Sequence, residues 1–368
     1  MKFTVERSVL TKAMTLADSV IEARNTVPIL SNAMLKAHGD RLRLTSTDLD
    51  ITIEQAVPAS VEAGGGVTVH SRTLADIVKK LPDGAEIGFE LVDHRLTVKS
   101  GRSRFQLQTL PVEDFPDISI SKEGVRFAME AAAFRRLIAG PLYAASTEET
   151  RYYLNGVHLH CREAHGDLAA CATDGHQLAL YWDGRPEDAA GMPGVIVPRK
   201  TCGLFAKYLD GVKGEVEVKV SSSRMSVAWG EASITSKLID GTFPDYERVI
   251  PRGNQLVTDI SGEAMKASVA RVITVTEEKS SAVRLELKPN VIELHVNNHN
   301  GGAATDVVDV TYDGPETFVG FNARYLTAAI DAMGGGIVRM AVADAQAPAV
   351  FTPANGGNCM AVVMPMRA

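Results

Sequence analysis

Asp174 and His176, in the stretch TDGHQL, are the residues best suited to bond chemistry, since an aspartate can orient an imidazole that takes a proton from a serine. No G-x-S-x-G elbow accompanies them, and Asp-Gly reads more simply as a turn. His158, His160 and His165 could suggest a metal. His158 and His160, however, alternate beside Val157 and Leu159 as on a strand, with no carboxylate at ligand spacing, so a plain exposed strand face is expected. Cys161, Cys171, Cys202 and Cys359 are scattered with no C-x-x-C pair, which points to buried thiols rather than disulfides or a zinc knuckle. The triple glycines at 64–66 and 334–336 lack the Lys-Ser/Thr of a phosphate loop and read as a loop and a helix stop. No catalytic residue, metal or cofactor is expected. A hydrolase or metal enzyme using His176 and Asp174 is the disfavoured alternative.

The elements that would carry these residues repeat. The chain has 368 residues, 45% hydrophobic and 23% charged, too long for one ordinary core and suited to two or three domains. Stretches beginning at Val67, Val195 and Phe318 share one plan of strand, basic turn, helix, glycine stop and strand, with Gly84, Gly211 and Gly334 at the stops. Phe115 recurs as Phe243, 128 positions on, and Asp48 as Asp174, 126 positions on. Three α+β domains, 1–121, 122–250 and 251–368, are therefore expected, each halving into two βαβββ modules. The apolar alternation slips phase between Leu44 and Leu49, which suggests a bulge near residues 46–48. Glu6 and Arg7 stand where a signal peptide would need an apolar run, and no stretch approaches 18 uninterrupted apolar residues, so a cytoplasmic, non-membrane protein is expected.

The net charge of −7 argues on its face against nucleic acid. The six expected helices with their leading turns, 7–18, 71–80, 131–140, 198–209, 262–271 and 321–332, nevertheless hold thirteen basic residues against four acidic ones. On the second, Arg72, Asp76 and Lys79 lie opposite Leu74, Ile77, Val78 and Leu81. Six such helices on one concave surface would offer positive potential to phosphates without reading bases, inside an otherwise acidic protein.

The start MKFTVER, VPIL at 27–30, SGRSRF at 100–105, RYYLNG at 151–156, ATDGH at 172–176, VIVPRK at 195–200, SKLIDGTFPDY at 236–246 and the final VMPMR together resemble the bacterial DNA polymerase III β subunits, the sliding clamps, over the whole chain. The resemblance implies a head-to-tail homodimeric ring, with helices lining the hole and sheets outside. Such a ring encircles duplex DNA independently of sequence and tethers the polymerase III catalytic subunit, the clamp loader and other proteins with a clamp-binding motif.

It further implies a partner-peptide pocket at Leu154, Thr173, Gly175, His176, Gln177, Leu178, Pro244, Val249, Val362, Met364, Pro365, Met366 and Arg367. Aliphatic walls, adaptable thioethers and a few polar atoms suit a short apolar peptide. Gln177 stands where the family often has Arg, at the expected rim. DNA contacts carry over to Arg24, Tyr152 and Tyr153, and the basic helices add Arg72, Lys79, Arg136, Arg199, Lys200 and Lys207. The two tyrosines are expected on a strand, one in the core and one free to touch a nucleotide. The dimer edge carries over to Phe105 and Leu107 against Thr274 and Val275 of the second copy, Thr274 being more polar than the aliphatic residue usual there.

Overall fold

The computed structural model describes residues 1–22, 24–116, 124–276, 282–297 and 302–367. The expected boundary at 121 lies outside the described residues. Six βαβββ modules follow one another, with one additional strand.

The first module is β1 (Lys2–Glu6), α1 (Arg7–Asp18), β2 (Asn32–His38), β3 (Arg41–Thr47) and β4 (Ile51–Pro58), followed by the additional β5 (Ser60–Ala63). The second is β6 (Gly65–His70), α2 (Ser71–Lys80), β7 (Glu86–Val92), β8 (Arg95–Ser100) and β9 (Ser103–Leu110). The third is β10 (Val125–Glu130), α3 (Ala131–Ala139), β11 (Gly156–Arg162), β12 (Asp167–Thr173) and β13 (Gln177–Gly184). The fourth is β14 (Val195–Pro198), α4 (Arg199–Tyr208), β15 (Glu215–Val220), β16 (Arg224–Trp229) and β17 (Ala232–Lys237). The fifth is β18 (Leu256–Ser261), α5 (Gly262–Val272), β19 (Ala282–Lys288), β20 (Val291–Asn297) and β21 (Ala303–Thr311). The sixth is β22 (Thr317–Asn322), α6 (Ala323–Ala332), β23 (Ile337–Val342), β24 (Ala349–Pro353) and β25 (Cys359–Val363).

Each helix begins where its strand ends, and four of these junctions are capped by a side chain. Glu6, His70, Ser261 and Asn322 accept from backbone N–H groups of the first turn of α1, α2, α5 and α6. In α2 the buried Leu74, Ala75 and Val78 oppose exposed Arg72, Asp76 and Lys79, as the spacing requires. Gly334 follows Met333, the C-cap of α6, at φ +84°, whereas Gly84 and Gly211 sit further into the turns beyond α2 and α4 at φ +71° and +72°.

A module does not close its own sheet. The first strand of each crosses to the last three strands of the other module in its pair. Thus β1 joins β7–β9 while β6 joins β2–β4. Likewise β10 joins β15–β17 and β14 joins β11–β13. Finally β18 joins β23–β25 and β22 joins β19–β21. This exchange makes the pair, and not the module, the repeating domain.

By packing, the three repeats are grouped into two compact units: Met1–Ala132 with Pro186–Pro193 and Lys207–Leu238, and Ala133–Arg185 with Gly194–Ala206 and Ile239–Ala368. Sheet continuity explains the regrouping. Residues 51–55 of β4 pair antiparallel with 232–236 of β17, and 177–181 of β13 pair with 359–363 of β25. The middle repeat therefore contributes one sheet to each unit. The first unit is filled by Phe3, stacked on Phe89 at 4.6 Å, with Leu10, Leu35, Leu44, Leu74 and Val98. Each large apolar side chain so buried contributes about 1.5–3 kcal/mol.

Two local expectations change. The phase slip after Leu44 is a tight hairpin turn at 48–50, not a bulge: Asp48 Oδ1 accepts from the N–H of Asp50 (3.0 Å) and Ile51 (2.7 Å), and Leu49 adopts φ +78°. Gly65 and Gly66 open β6 rather than forming a loop, and a Cβ on Gly66 would lie 3.0 Å from Val112 and 3.2 Å from Lys36.

Candidate functional site: an apolar pocket beside the β12–β13 turn

The turn from β12 to β13 repeats the chemistry of the turn at Asp48. Asp174 Oδ1 accepts from the N–H of His176 (2.8 Å) and Gln177 (2.9 Å), and its Oδ2 accepts from Gln177 Nε2 (3.0 Å). Thr173 Oγ1 donates to the Gln177 carbonyl (2.7 Å) and accepts from the Gly175 N–H (3.1 Å). Asp174 thus locks a turn, and the His176 ring stacks on Tyr325 at 6.2 Å. Gly175 sits at φ +92° under the Arg151 guanidinium, where a Cβ would come within 2.7 Å of Nη1. Arg151 is itself held by Glu148 at 2.7 Å, and this pairing holds the Glu148 carboxyl below its usual range.

Against this turn lies a cavity of about 210 Å³ in the second unit, lined by Leu154, Thr173, Gly175, His176, Gln177, Leu178, Pro244, Asp245, Tyr246, Val249, Val362 and Met364. Leu178 and Val362 are buried in the floor, while Val249 and Met364 expose 53% and 42% of their surface at the mouth. The structure thus brings together ten of the thirteen residues expected here. Pro365, Met366 and Arg367 do not join them. The chain continues past Met364 along β22, where the Met366 N–H donates to the Gly320 carbonyl (2.7 Å), so these three line a separate, more open cavity with Phe318 and Gln346. Gln177 is not at the rim: it is 8% exposed, and its Oε1 is buried without a hydrogen-bond partner. Asp245 and Tyr246 are wall residues that sequence reasoning missed, although their position in the recurring FPD stretch was the available signal.

His158 and His160 depart most from expectation. Their strand β11 is covered, not exposed, because residues 243–246 pack over it. The His158 ring stacks on Phe243 (4.8 Å) and on His160 (4.4 Å), and His160 Nε2 lies 2.9 Å from the Tyr246 hydroxyl. Burial, with His160 beside it, drives the His158 pKa down to about 3, and burial lowers that of His160. Burial also raises the Cys171 thiol well above its usual value and Cys202 to about 12, so these are inert core thiols.

Of the residues expected at DNA, Arg24, Arg72, Lys79, Tyr152, Arg199, Lys200 and Lys207 are exposed. Arg199 donates to the carbonyls of Leu142 (3.4 Å) and Ala145 (3.0 Å), and the Lys207 ammonium lies 4.8 Å from the Tyr208 ring centroid. Arg136 is paired with Asp183 at 2.5 Å. Arg7, Lys266 and Arg271 are likewise paired, with Asp83, Asp331 and Asp306, so part of the helical positive charge is already neutralised. Tyr152 and Tyr153 lie in a 3-10 turn, Glu149–Leu154, not a strand. Tyr152 is exposed and Tyr153 packs against the core behind the cavity.

At the expected dimer edge, Phe105 and Leu107 are half-buried on β9. Thr274 and Val275 lie in a short 3-10 turn after α5. Among the described residues, Glu286, Glu293 and His295 could together hold a metal, a group sequence reasoning did not single out. Lys288 Nζ already lies 2.7 Å from Glu293 and 3.6 Å from Glu286, supplying the cation. No helix among the described residues is long and apolar enough to cross a membrane.

Three domains of paired βαβββ modules, with an apolar pocket beside the β12–β13 turn, define an α+β protein of the clamp type. Profiles of the DNA polymerase III beta subunit match residues 1–119 (N-terminal domain), 128–245 (central domain) and 247–367 (C-terminal domain). The chain is 43% identical over 371 residues to the beta sliding clamp of Caulobacter vibrioides and 36% identical to that of Escherichia coli K12, each comparison covering both chains completely. Among solved structures it is similar to the sliding clamp of Bartonella birtlesii bound to griselimycin (TM-score 0.96, 38% identity) and to the DNA polymerase III subunit beta of Pseudomonas aeruginosa (TM-score 0.95, 36% identity), with complete coverage of both chains in each case. The chain belongs to the family of DNA polymerase III beta subunits, the sliding clamps.

Proposed function

We propose that two copies of this chain close head to tail into a ring around duplex DNA, and that the pocket beside Asp174 holds peptide segments of the polymerase III catalytic subunit, the clamp loader and other partners. The family is a non-catalytic one of processivity factors, and no bond chemistry is assigned to Asp174 or His176.

The observation that carries this reading is the fate of the last strand of each module. β4 pairs with β17 and β13 with β25, in both cases antiparallel over five residues. That leaves β9 and β21. Among the described residues, 103–108 of β9 are bonded only to β8, and 303–309 of β21 only to β20. Two open edges of the same kind, one in each compact unit, support pairing of β9 with β21 of a second copy, and two such contacts close a ring. Phe105 and Leu107 lie on this edge. In a closed ring, topology replaces affinity, so weak phosphate contacts from Arg72, Lys79, Arg199, Lys200 and Lys207 suffice while a bound polymerase stays at high effective concentration.

Loading onto nicked circular duplex by a clamp loader tests the ring. Retention on circles and loss on linearisation are expected, and retention on linear DNA with free ends overturns the reading. A persistent monomer by sedimentation at micromolar concentration overturns the dimer and leaves a peptide-binding domain array.

A further inference from the structure

The pocket has one wall that is not itself part of a helix or strand. Residues 243–246 run as a loop and 3-10 turn, and Pro244, Asp245 and Tyr246 face the cavity. A loop wall is normally the part of a site least able to hold a fixed distance. Here it rests on two histidines that no bond chemistry uses.

The four rings form a continuous stack. Phe243 lies on His158 with planes 8° apart, His158 on His160 with planes 14° apart, and His160 meets Tyr246 edge-on at 5.5 Å while holding its hydroxyl. The loop is thus gripped at both ends, at Phe243 and at Tyr246, by two successive same-face residues of β11. The other side of the stack is closed by Gly194, where a Cβ would lie 3.0 Å from His158 Cε1. Stacking needs neutral rings, since two imidazolium ions at 4.4 Å would repel. The charged groups around His160 are Arg162 on its own strand, Asp167 on β12 and Glu247 on the loop, and Arg162 and Asp167 are already paired to each other at 2.6 Å.

We propose that His158 and His160 are positioning residues of the peptide pocket: their stack holds residues 243–246 at the distance from the β12–β13 turn at which the cavity stays open to an apolar peptide. This rests on the pocket reading above. Neither histidine lines the cavity, so any effect on binding passes through the loop.

The test uses the full-length protein and a fluorescent peptide comprising the C-terminal residues of the polymerase III catalytic subunit, with amide hydrogen exchange read over 243–249. His158→Ala and His160→Ala are expected to weaken the peptide about tenfold and speed exchange in 243–249, with exchange in β12 and β13 unchanged. His158→Phe, which keeps the stack, is expected to bind within about twofold of the native chain. Should either alanine variant unfold, the phenylalanine variant and His160→Phe, which retains the ring but loses the Tyr246 contact and is expected to cost about threefold, decide the matter. Native-like binding by both alanine variants, or equal loss from Ala and Phe at 158, overturns the proposal. Met364→Asp is measured alongside: if it binds normally, the pocket reading fails, whereas if it alone loses binding, only the positioning role fails.

Discussion

The backbone N–H of Met364 donates to the carbonyl of His176 at 2.8 Å, one residue beyond the ladder that joins β25 to β13. This bond carries the tail past the end of the sheet and sets the Met364 thioether at the mouth of the cavity. Removing residues 364–368 is therefore expected to abolish peptide binding while the dimer persists, as read by fluorescence anisotropy and sedimentation. Unchanged affinity would reject the pocket.

Gly175 holds the turn that shapes the opposite rim. Gly175→Ala places a Cβ against Arg151 at a positive φ, and the left-handed conformation alone costs about 1–2 kcal/mol. A lowered midpoint in urea with a native m-value is expected. A neutral effect would show that the turn relaxes into another form.

The two half-buried histidines give stability a pH dependence. The unfolded chain binds protons on both imidazoles near pH 6.5, whereas the folded chain holds His158 neutral down to about pH 3 and His160 neutral below its usual value. The unfolded state therefore takes up more protons as pH falls below about 6.5, and stability declines by about 1.4 kcal/mol per pH unit for each histidine still neutral in the fold. Denaturant titrations between pH 7.5 and 5 measure this slope. In a His158→Phe, His160→Phe variant it is expected to flatten.

Phe105→Arg with Leu107→Arg puts two charges on the open edge of β9, at half-buried side chains that pack against the margin of the first unit's core. The expected result is a folded monomer that cannot be retained on circular DNA. A stable dimer would place the interface elsewhere.

Arg72→Ala with Lys79→Ala is expected to lower the slope of log affinity against log salt by up to about 2 on nicked duplex, about 0.9 per phosphate contact. Arg136→Ala is expected to change it less, because Asp183 already holds that guanidinium. Equal slopes from both variants would show that the Asp183 pair yields to phosphate.

The six helices were legible in the sequence because their apolar spacing is strong and their first-turn caps are local, as at Ser261 and Asn322. The hairpin at Asp48 was misread as a bulge because a phase slip in alternation looks the same whether one residue is inserted or the chain reverses. The covered face of β11 was missed for a different reason. What covers it, Phe243 and Tyr246, lies more than 80 residues away, and alternation along a strand reports which residues share a face, not what packs on that face. Ten of the expected pocket residues, down to Met364, line one cavity, and Pro365 to Arg367 line another because the backbone leaves the turn at His176 for Gly320, a change of course that no sequence pattern announces.

The exchange of first strands between paired modules also dictates an order of events on the ribosome. β1 pairs with β7, whose residues are made some 85 positions later, so a nascent first module has no completed sheet to join. Until its mate emerges, it leaves an unfilled strand position beside an apolar core. A stalled or truncated chain ending between the two modules should therefore be a ready substrate for chaperones and proteases, whereas one ending after β9 should not.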